Sequence, residues 1–239
     1  MDVRHLRQEM LFGAGATDAL RTCHVAVFGI GGVGSYTVEA LARSGIGEIT
    51  LVDGDVYAES NFNRQLYATE DTVGVAKVAA AAKRIHTINP HIKVHERQIF
   101  FLPECAADFD FSRFDYVIDA VDTVAAKVAI AERAYRAGVP AVSCMGTGNK
   151  TDPTLFRVAD IYKTDVCPLA RAVRTALRRR GVPKLKTVYS TEPPYAALLA
   201  RDEETGKPAP ASCAFVPPVA GMILAGEAVK DLLCRKLVK

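Results

Sequence analysis

Long apolar runs are missing from this chain of 239 residues. None approaches the roughly 20 consecutive apolar residues that span a bilayer, so a membrane-spanning class and a membrane partner are excluded. The N-terminus, MDVRHLRQEM, is charged and lacks the apolar stretch of a secretory signal, and the expectation is a cytoplasmic protein. Paired cysteines are missing too. The six cysteines, at 23, 105, 144, 167, 213 and 234, are dispersed, and no two stand at C-x-x-C spacing. That argues against a zinc knuckle and offers no disulfide framework. His5, His24, His86, His91 and His95 show no metal-ligand spacing. Acidic residues are absent between Asp165 and Glu192, although the overall net charge is only +3.

The residues present alternate between two periods. Val25 to Phe28 reads as a buried strand, followed by a helix with Val38, Leu41 and Ala42 on one face. Further strands are expected at 49–52, 92–99, 116–119 and 139–143, with helices over 75–88 and about 124–137. This rhythm predicts an α/β, Rossmann-like, doubly wound and mainly parallel sheet. After residue 150 the pattern changes to a strand and turn, a helix over 168–180, a strand near 187–191 and a last helix opened by Pro217-Pro218. The polar stretch 192–212 between them reads as a loop. The expectation is a single domain, with residues 1–150 as the nucleotide-binding core and 151–239 as a C-terminal extension for substrate and dimer contacts.

GIGGVGS places Gly29, Gly31 and Gly34 in G-x-G-x-x-G order, between a strand and a helix. Such glycines permit a tight turn and bring backbone N–H groups close to a phosphate. Asp53, after the second strand, stands where a carboxylate meets a ribose hydroxyl. These signals alone fit NAD as well as ATP. ESNFNRQ tips the balance, because Arg64 near a triphosphate would pair with phosphate oxygens in a forked geometry. Lys77, in the first turn of a predicted helix, opposes the helix dipole unless an anion is near. Asp122 reads either as an N-cap or as the oxygen ligand that holds Mg²⁺ against phosphates, with Asp119 as second choice for the metal. Arg64, Lys77 and Mg²⁺ would together offset charge as pyrophosphate leaves the α-phosphate. The acceptor would be a carboxylate, giving an acyl-adenylate.

GIGGVGS, ITLVDGD, NFNRQ, VGVAK and VIDAVDT resemble, in order and spacing, the ubiquitin-activating-type adenylating enzymes of the ThiF/MoeB/HesA superfamily. The resemblance covers residues 1 to about 150. It implies an ATP site formed by Gly29, Gly31, Gly32, Gly34, Asp53, Asp55, Asn61, Arg64, Lys77 and Asp122, with Asp122 serving Mg²⁺. It also implies a homodimer in which an arginine near the N-terminus enters the partner's site. Arg7 is the match, ahead of Arg4.

SCMGTGNKTDPTLFRVADIYKT, PLARAVRTALRRRG, VYSTEPP and FVPPVAGMILAGEAVKDLL narrow the resemblance to the bacterial tRNA threonylcarbamoyladenosine dehydratases. The narrower resemblance implies ATP-dependent activation of a threonyl carboxylate in tRNA and ring closure by the carbamoyl nitrogen, with AMP released. Family analogy adds a monovalent cation, Na⁺ or K⁺, near the final loop and helix. It also adds a cysteine desulfurase and its sulfur acceptor as associates. Cys167-Pro168 departs from the Asp-Pro usual in the family.

The residues support a nucleic-acid partner separately. Arg171, Arg174 and Arg178 share one helical face inside the acid-free interval, which suits an RNA backbone. Lys150 lies beyond a strand's carboxyl end and is the candidate for a substrate carboxylate or an RNA phosphate. Cys144 and Cys213 are read as core or pocket-wall residues in preference to nucleophiles. The alternative function shares the ATP site but adenylates the C-terminus of a ubiquitin-like or sulfur-carrier protein. A further alternative is a non-catalytic nucleotide-binding scaffold.

Overall fold

A computed structural model describes residues 3–195 and 210–237. Two short helices, α1 (Leu6–Phe12) and α2 (Ala16–Arg21), lead into β1 (His24–Phe28). The chain continues through α3 (Gly34–Arg43), β2 (Glu48–Val52), α4 (Lys77–Ile88), β3 (Lys93–Arg97), β4 (Tyr116–Asp119), α5 (Val124–Arg136) and β5 (Ala141–Cys144). It ends with β6 (Phe156–Asp160), α6 (Pro168–Arg179), β7 (Lys186–Ser190) and α7 (Val216–Leu237). Every expected element is present, with ends moved by a few residues. The strand expected at 92–99 is the shorter β3, and α4 is preceded by a bend at Val75 and an isolated bridge between Ala76 and Val56.

The sheet runs β3-β2-β1-β4-β5-β7-β6, all parallel except the β6–β7 pair. Four consecutive residues of β1 and β2, and all of β4, are buried. Such apolar strands belong where helices cover both faces. The connections run outward in opposite directions from β1 and β4. Between them lies the topological switch point, where sheets of this kind open a crevice at the strands' carboxyl ends.

The sheet does not stop at residue 150. β7 pairs with β5 from Val142↔Lys186 to Cys144↔Val188, and α7 packs in the main core with Val216, Ala220, Leu224, Ala228 and Leu232. At Gly221 an added Cβ would stand 2.3 Å from the Val33 carbonyl oxygen, and Thr37 Oγ1 donates to the Gly221 carbonyl at 3.0 Å. The last helix therefore presses against the entrance to α3. Among the described residues, no helix is long and apolar enough to cross a membrane. Much of the loop expected at 192–212 lies outside the described residues.

Candidate nucleotide site

A cleft of about 900 Å³ opens at the switch point, lined by Gly29, Gly31, Gly32, Asp53, Asn61, Arg64, Lys77 and Asp122 among others. Its size suits a nucleotide-sized ligand. The glycine loop is built by steric necessity. Gly29 adopts φ +86°, and a Cβ there would meet the Ala120 carbonyl at 2.8 Å. A Cβ on Gly34 would stand 1.7 Å from the Gly29 carbonyl oxygen, so only glycine lets α3 start this close to β1. Gly31 and Gly32 instead face the cleft.

Asp53 Oδ2 accepts from the Ile30 N–H at 2.6 Å and Oδ1 from the Asp55 N–H at 2.9 Å. Burial raises its pKa, and those two N–H groups work against the shift. The carboxylate is thus fixed by the glycine loop on the cleft wall. Lys77 opens α4 as expected and is buried, 6 % exposed. It is not a free cation: its Nζ pairs with Asp55 Oδ2 at 2.9 Å, across a carboxylate half open to solvent. Asp55 therefore aims Lys77 along the cleft and offsets the dipole conflict that α4 would otherwise carry.

Arg64 differs. Its guanidinium donates to the Ser60 carbonyl and to Asn63 Oδ1, both at 2.9 Å, and meets no carboxylate among the described residues. Burial alone lowers its pKa, the mark of a cation with no counter-charge nearby. Gln65 and Ser212 also line the cleft, and Gln65 Oε1 and Ser212 Oγ are buried without a hydrogen-bond partner.

Asp122 is exposed on the cleft wall. The N-cap position expected for it belongs to Thr123, whose carbonyl accepts from Lys127 N. Its carboxylate is therefore available to a cation. Asp119, the second choice for a metal, is corrected to a structural role. It is 2 % exposed and held by Lys127 Nζ at 3.1 and 3.3 Å, by the Ser143 hydroxyl and by the Val121 N–H at 3.1 Å. Lys127, itself fully buried, donates further to the Cys144 carbonyl at 2.5 Å. This knot ties the end of β4 to the end of β5 and shapes the turn that carries Asp122. Lys127 is absent from the residues expected of the site. Its available signal was a lone lysine within VAAKVAIA, one helical turn inside an apolar stretch.

The cleft continues past β5 to Met145, Lys150 and Cys167. Lys150 is 5 % exposed and its Nζ donates to the Glu192 carbonyl at 2.5 Å. Burial lowers its pKa. The Glu192 carboxylate turns the other way, accepting from Thr151 N, Thr151 Oγ1 and Asp152 N at 2.9–3.2 Å. Glu192 thus clamps the loop behind Lys150, a second role that nothing in its sequence neighbourhood signals. Cys144 lies in the core, where burial pushes its thiol up to about 12, which makes it inert as a nucleophile. Cys213 is half-buried, with Sγ toward the Lys150 carbonyl at 3.9 Å. Cys167 is the N-cap of α6 and makes no side-chain cap bond, so the cap that an aspartate would supply is missing here.

Helix α6 carries its basic face only in part. Arg171 and Arg178 are exposed, with Arg178 over the Tyr162 ring at 5.5 Å. Arg174 needs correction as an RNA contact. It is half-buried, and its NH1 donates to the Thr164 carbonyl at 2.8 Å and to Thr164 Oγ1 at 2.7 Å, which ties α6 to the preceding turn. Arg180 pairs with Glu132, and Lys186 with Glu227 and Asp231. The acid-free interval thus finds acids elsewhere in the chain. Arg7 is exposed on α1 and does not line this chain's own cleft.

A glycine-walled cleft at the switch point of a doubly wound sheet, with cations and a free carboxylate on its rim, defines a nucleotide-handling α/β protein. The chain belongs to the ThiF family, whose model matches residues 5–238. It is 43% identical over 237 residues to the tRNA threonylcarbamoyladenosine dehydratase of Bacillus subtilis, covering 95% of this chain and 93% of that one. The crystal structure of the Escherichia coli tRNA N6-threonylcarbamoyladenosine dehydratase in complex with ATP superposes with a TM-score of 0.88. It is 34% identical and covers 97% of this chain and 94% of its own. The same enzyme in complex with AMP gives a TM-score of 0.87 at 34% identity, covering 99% of this chain and 96% of that one.

Proposed function

We propose that the protein is an ATP-dependent tRNA threonylcarbamoyladenosine dehydratase. The observation that carries this reading is the cleft itself: a glycine loop facing Arg64, a cation with no counter-charge, in a family whose similar members carry this name. ATP lies on the glycine loop, with its ribose on Asp53 and its phosphates toward Arg64 and Lys77. The exposed carboxylate of Asp122 suits a hydrated hard cation. Mg²⁺ bound there supplies charge neutralisation as pyrophosphate departs.

The substrate carboxylate attacks the α-phosphorus and becomes an acyl-adenylate. Lys150, buried in the far lobe beside a neutral carbonyl, holds that carboxylate in place. The carbamoyl nitrogen then attacks the activated carbonyl carbon, its proton leaves, and AMP departs. Both reacting groups belong to one substrate, so proximity is supplied and no enzyme nucleophile is required. The inert Cys144 accords with this route and counts against thioester chemistry. Arg171 and Arg178 meet the tRNA backbone. The exposed Leu6, Met10, Leu11 and Phe12 beside Arg7 suit a homodimer that carries Arg7 into the partner's cleft. A monovalent cation near the final loop and helix, a cysteine desulfurase with its sulfur acceptor as associates, and a cytoplasmic location complete the reading.

The decisive test is mass spectrometry of nucleosides from tRNA carrying threonylcarbamoyladenosine, incubated with protein, ATP and Mg²⁺ under mild work-up. The nucleoside should lose one water, dependent on ATP, and Asp122→Ala should abolish the loss. An unchanged nucleoside, with ATP–pyrophosphate exchange only on adding a small carrier protein, would instead identify the protein-activating alternative. Lys150→Ala should raise KM for modified tRNA at unchanged KM for ATP. Equal effects on both would remove Lys150 from the substrate lobe. Arg171→Gln with Arg178→Gln should weaken tRNA binding and flatten the slope of log K against log salt by about 1–2 units. An unchanged slope would show that α6 does not touch RNA.

A further inference from the structure

At the end of the sheet away from the cleft, three ligating side chains meet. Parallel pairing sets His24 beside Glu48 and Thr50 beside His95, so all four project from one face of β1, β2 and β3. Glu48 Oε1 lies 2.6 Å from His95 Nε2 and 3.5 Å from His24 Nδ1. One ligating atom from each residue lies within 4.8 Å of the others. We propose that His24, Glu48 and His95 form a binding site for a single divalent transition-metal ion of the zinc class.

Geometry and chemistry both support the assignment. Ligand atoms around a tetrahedral zinc stand about 3.3 Å apart, given bonds of about 2.0–2.1 Å. The two distances here, 2.6 and 3.5 Å, bracket that value. Two imidazoles and one carboxylate are a donor set that zinc accepts, with a fourth position left for water. The outer groups are in place as well. His24 Nε2 lies 2.8 Å from Thr50 Oγ1; in the Nε2–H tautomer the hydroxyl accepts that proton and Nδ1 is left to face the ion. The Phe114 ring meets the His24 ring edge-on at 5.0 Å, and Asp115 accepts from the His24 N–H at 2.9 Å, so the histidine's backbone and one ring face are both held. The entry side is open: the side chains of Glu48 and His95 are 27% and 35% exposed.

One neighbour opposes the ion and gives the test its discrimination. Lys93 Nζ lies 3.3 Å from the same Oε1, on a side chain that is 65% exposed. It acts as the competing cation and can swing into solvent when a metal arrives. The two histidines stand at positions 24 and 95, too far apart in the chain for any reading of spacing to join them.

The test uses the full chain without nucleotide, in a Cys234→Ser background that removes the exposed thiol, titrated with Co²⁺ as the metal alone. Visible absorption and calorimetry should report one bound ion per chain with the intense bands of low-coordinate cobalt. His95→Gln and Glu48→Gln should each weaken binding more than tenfold. Lys93→Ala should tighten it, and Zn²⁺ should displace the cobalt. If the cluster is only an ion-pair group, both single variants bind cobalt as the parent does and Lys93→Ala has no effect. Either result overturns the site. Circular dichroism of each variant establishes that a loss of binding is not a loss of fold. The dehydration assay is independent of this outcome, because the cluster lies at the opposite ends of the strands from the cleft.

Discussion

Arg64→Ala should lower kcat/KM for ATP-dependent dehydration by roughly 10²- to 10³-fold, about 2.7–4 kcal/mol of transition-state stabilisation. The expectation rests on a contrast within the cleft. Lys77 is already matched by Asp55, so part of its field is neutralised before any ligand arrives. Arg64 meets only a carbonyl and an amide oxygen, and burial has removed much of its water. A cation in that state gains most from the charge that develops as pyrophosphate leaves. Arg64→Lys should recover only a small part, because an ammonium lacks the planar fork. The measurement is steady-state kinetics on modified tRNA, with melting curves to show that the variants fold. A loss below tenfold in Arg64→Ala would place the phosphates elsewhere.

Lys127→Met should destabilise the protein by about 3–5 kcal/mol, the usual result of leaving one member of a buried ion pair alone. Lys127 and Asp119 have side chains 1% and 3% exposed, so neither can turn to water. Removal of the ammonium leaves Asp119 charged against Ser143 and the Val121 N–H, and also strips the Cys144 carbonyl of its donor. The melting temperature should fall by about 10 °C for a chain of this size. Asp119→Asn combined with Lys127→Met should recover part of the loss, since the stranded charge is gone. Denaturant unfolding of the two variants checks this. If the double variant is no more stable than the single, the cost is packing rather than charge.

The same pair shows what a sequence does and does not make legible. The strands, the glycine loop and the rim residues Asp53, Asn61, Arg64, Lys77 and Asp122 could be read locally. Each owes its place to a turn or helix end next to a recognisable run. Lys127 could not, because its partner Asp119 belongs to the previous strand and their meeting depends on how α5 packs. The basic interval fails for a similar reason. Arg174, Arg180 and Lys186 have no acids near them in sequence, yet Thr164, Glu132, Glu227 and Asp231 reach two of them as carboxylates and the third as a hydroxyl and carbonyl. Charge counted along a chain measures composition. Charge available to RNA is what remains after tertiary neighbours have taken their share.

The close seating of α7 on α3 reaches beyond the finished molecule. Gly221 fits against the Val33 carbonyl, and a Cβ added at Gly32 would stand 3.3 Å from Pro217 Cβ. The glycine loop is therefore buttressed by a helix that comes far later in the sequence. During synthesis, β1 and α3 leave the ribosome long before their support exists. Nucleotide affinity should consequently require α7, so a nascent chain that does not yet carry this helix, or a chain clipped ahead of it, would not sequester ATP.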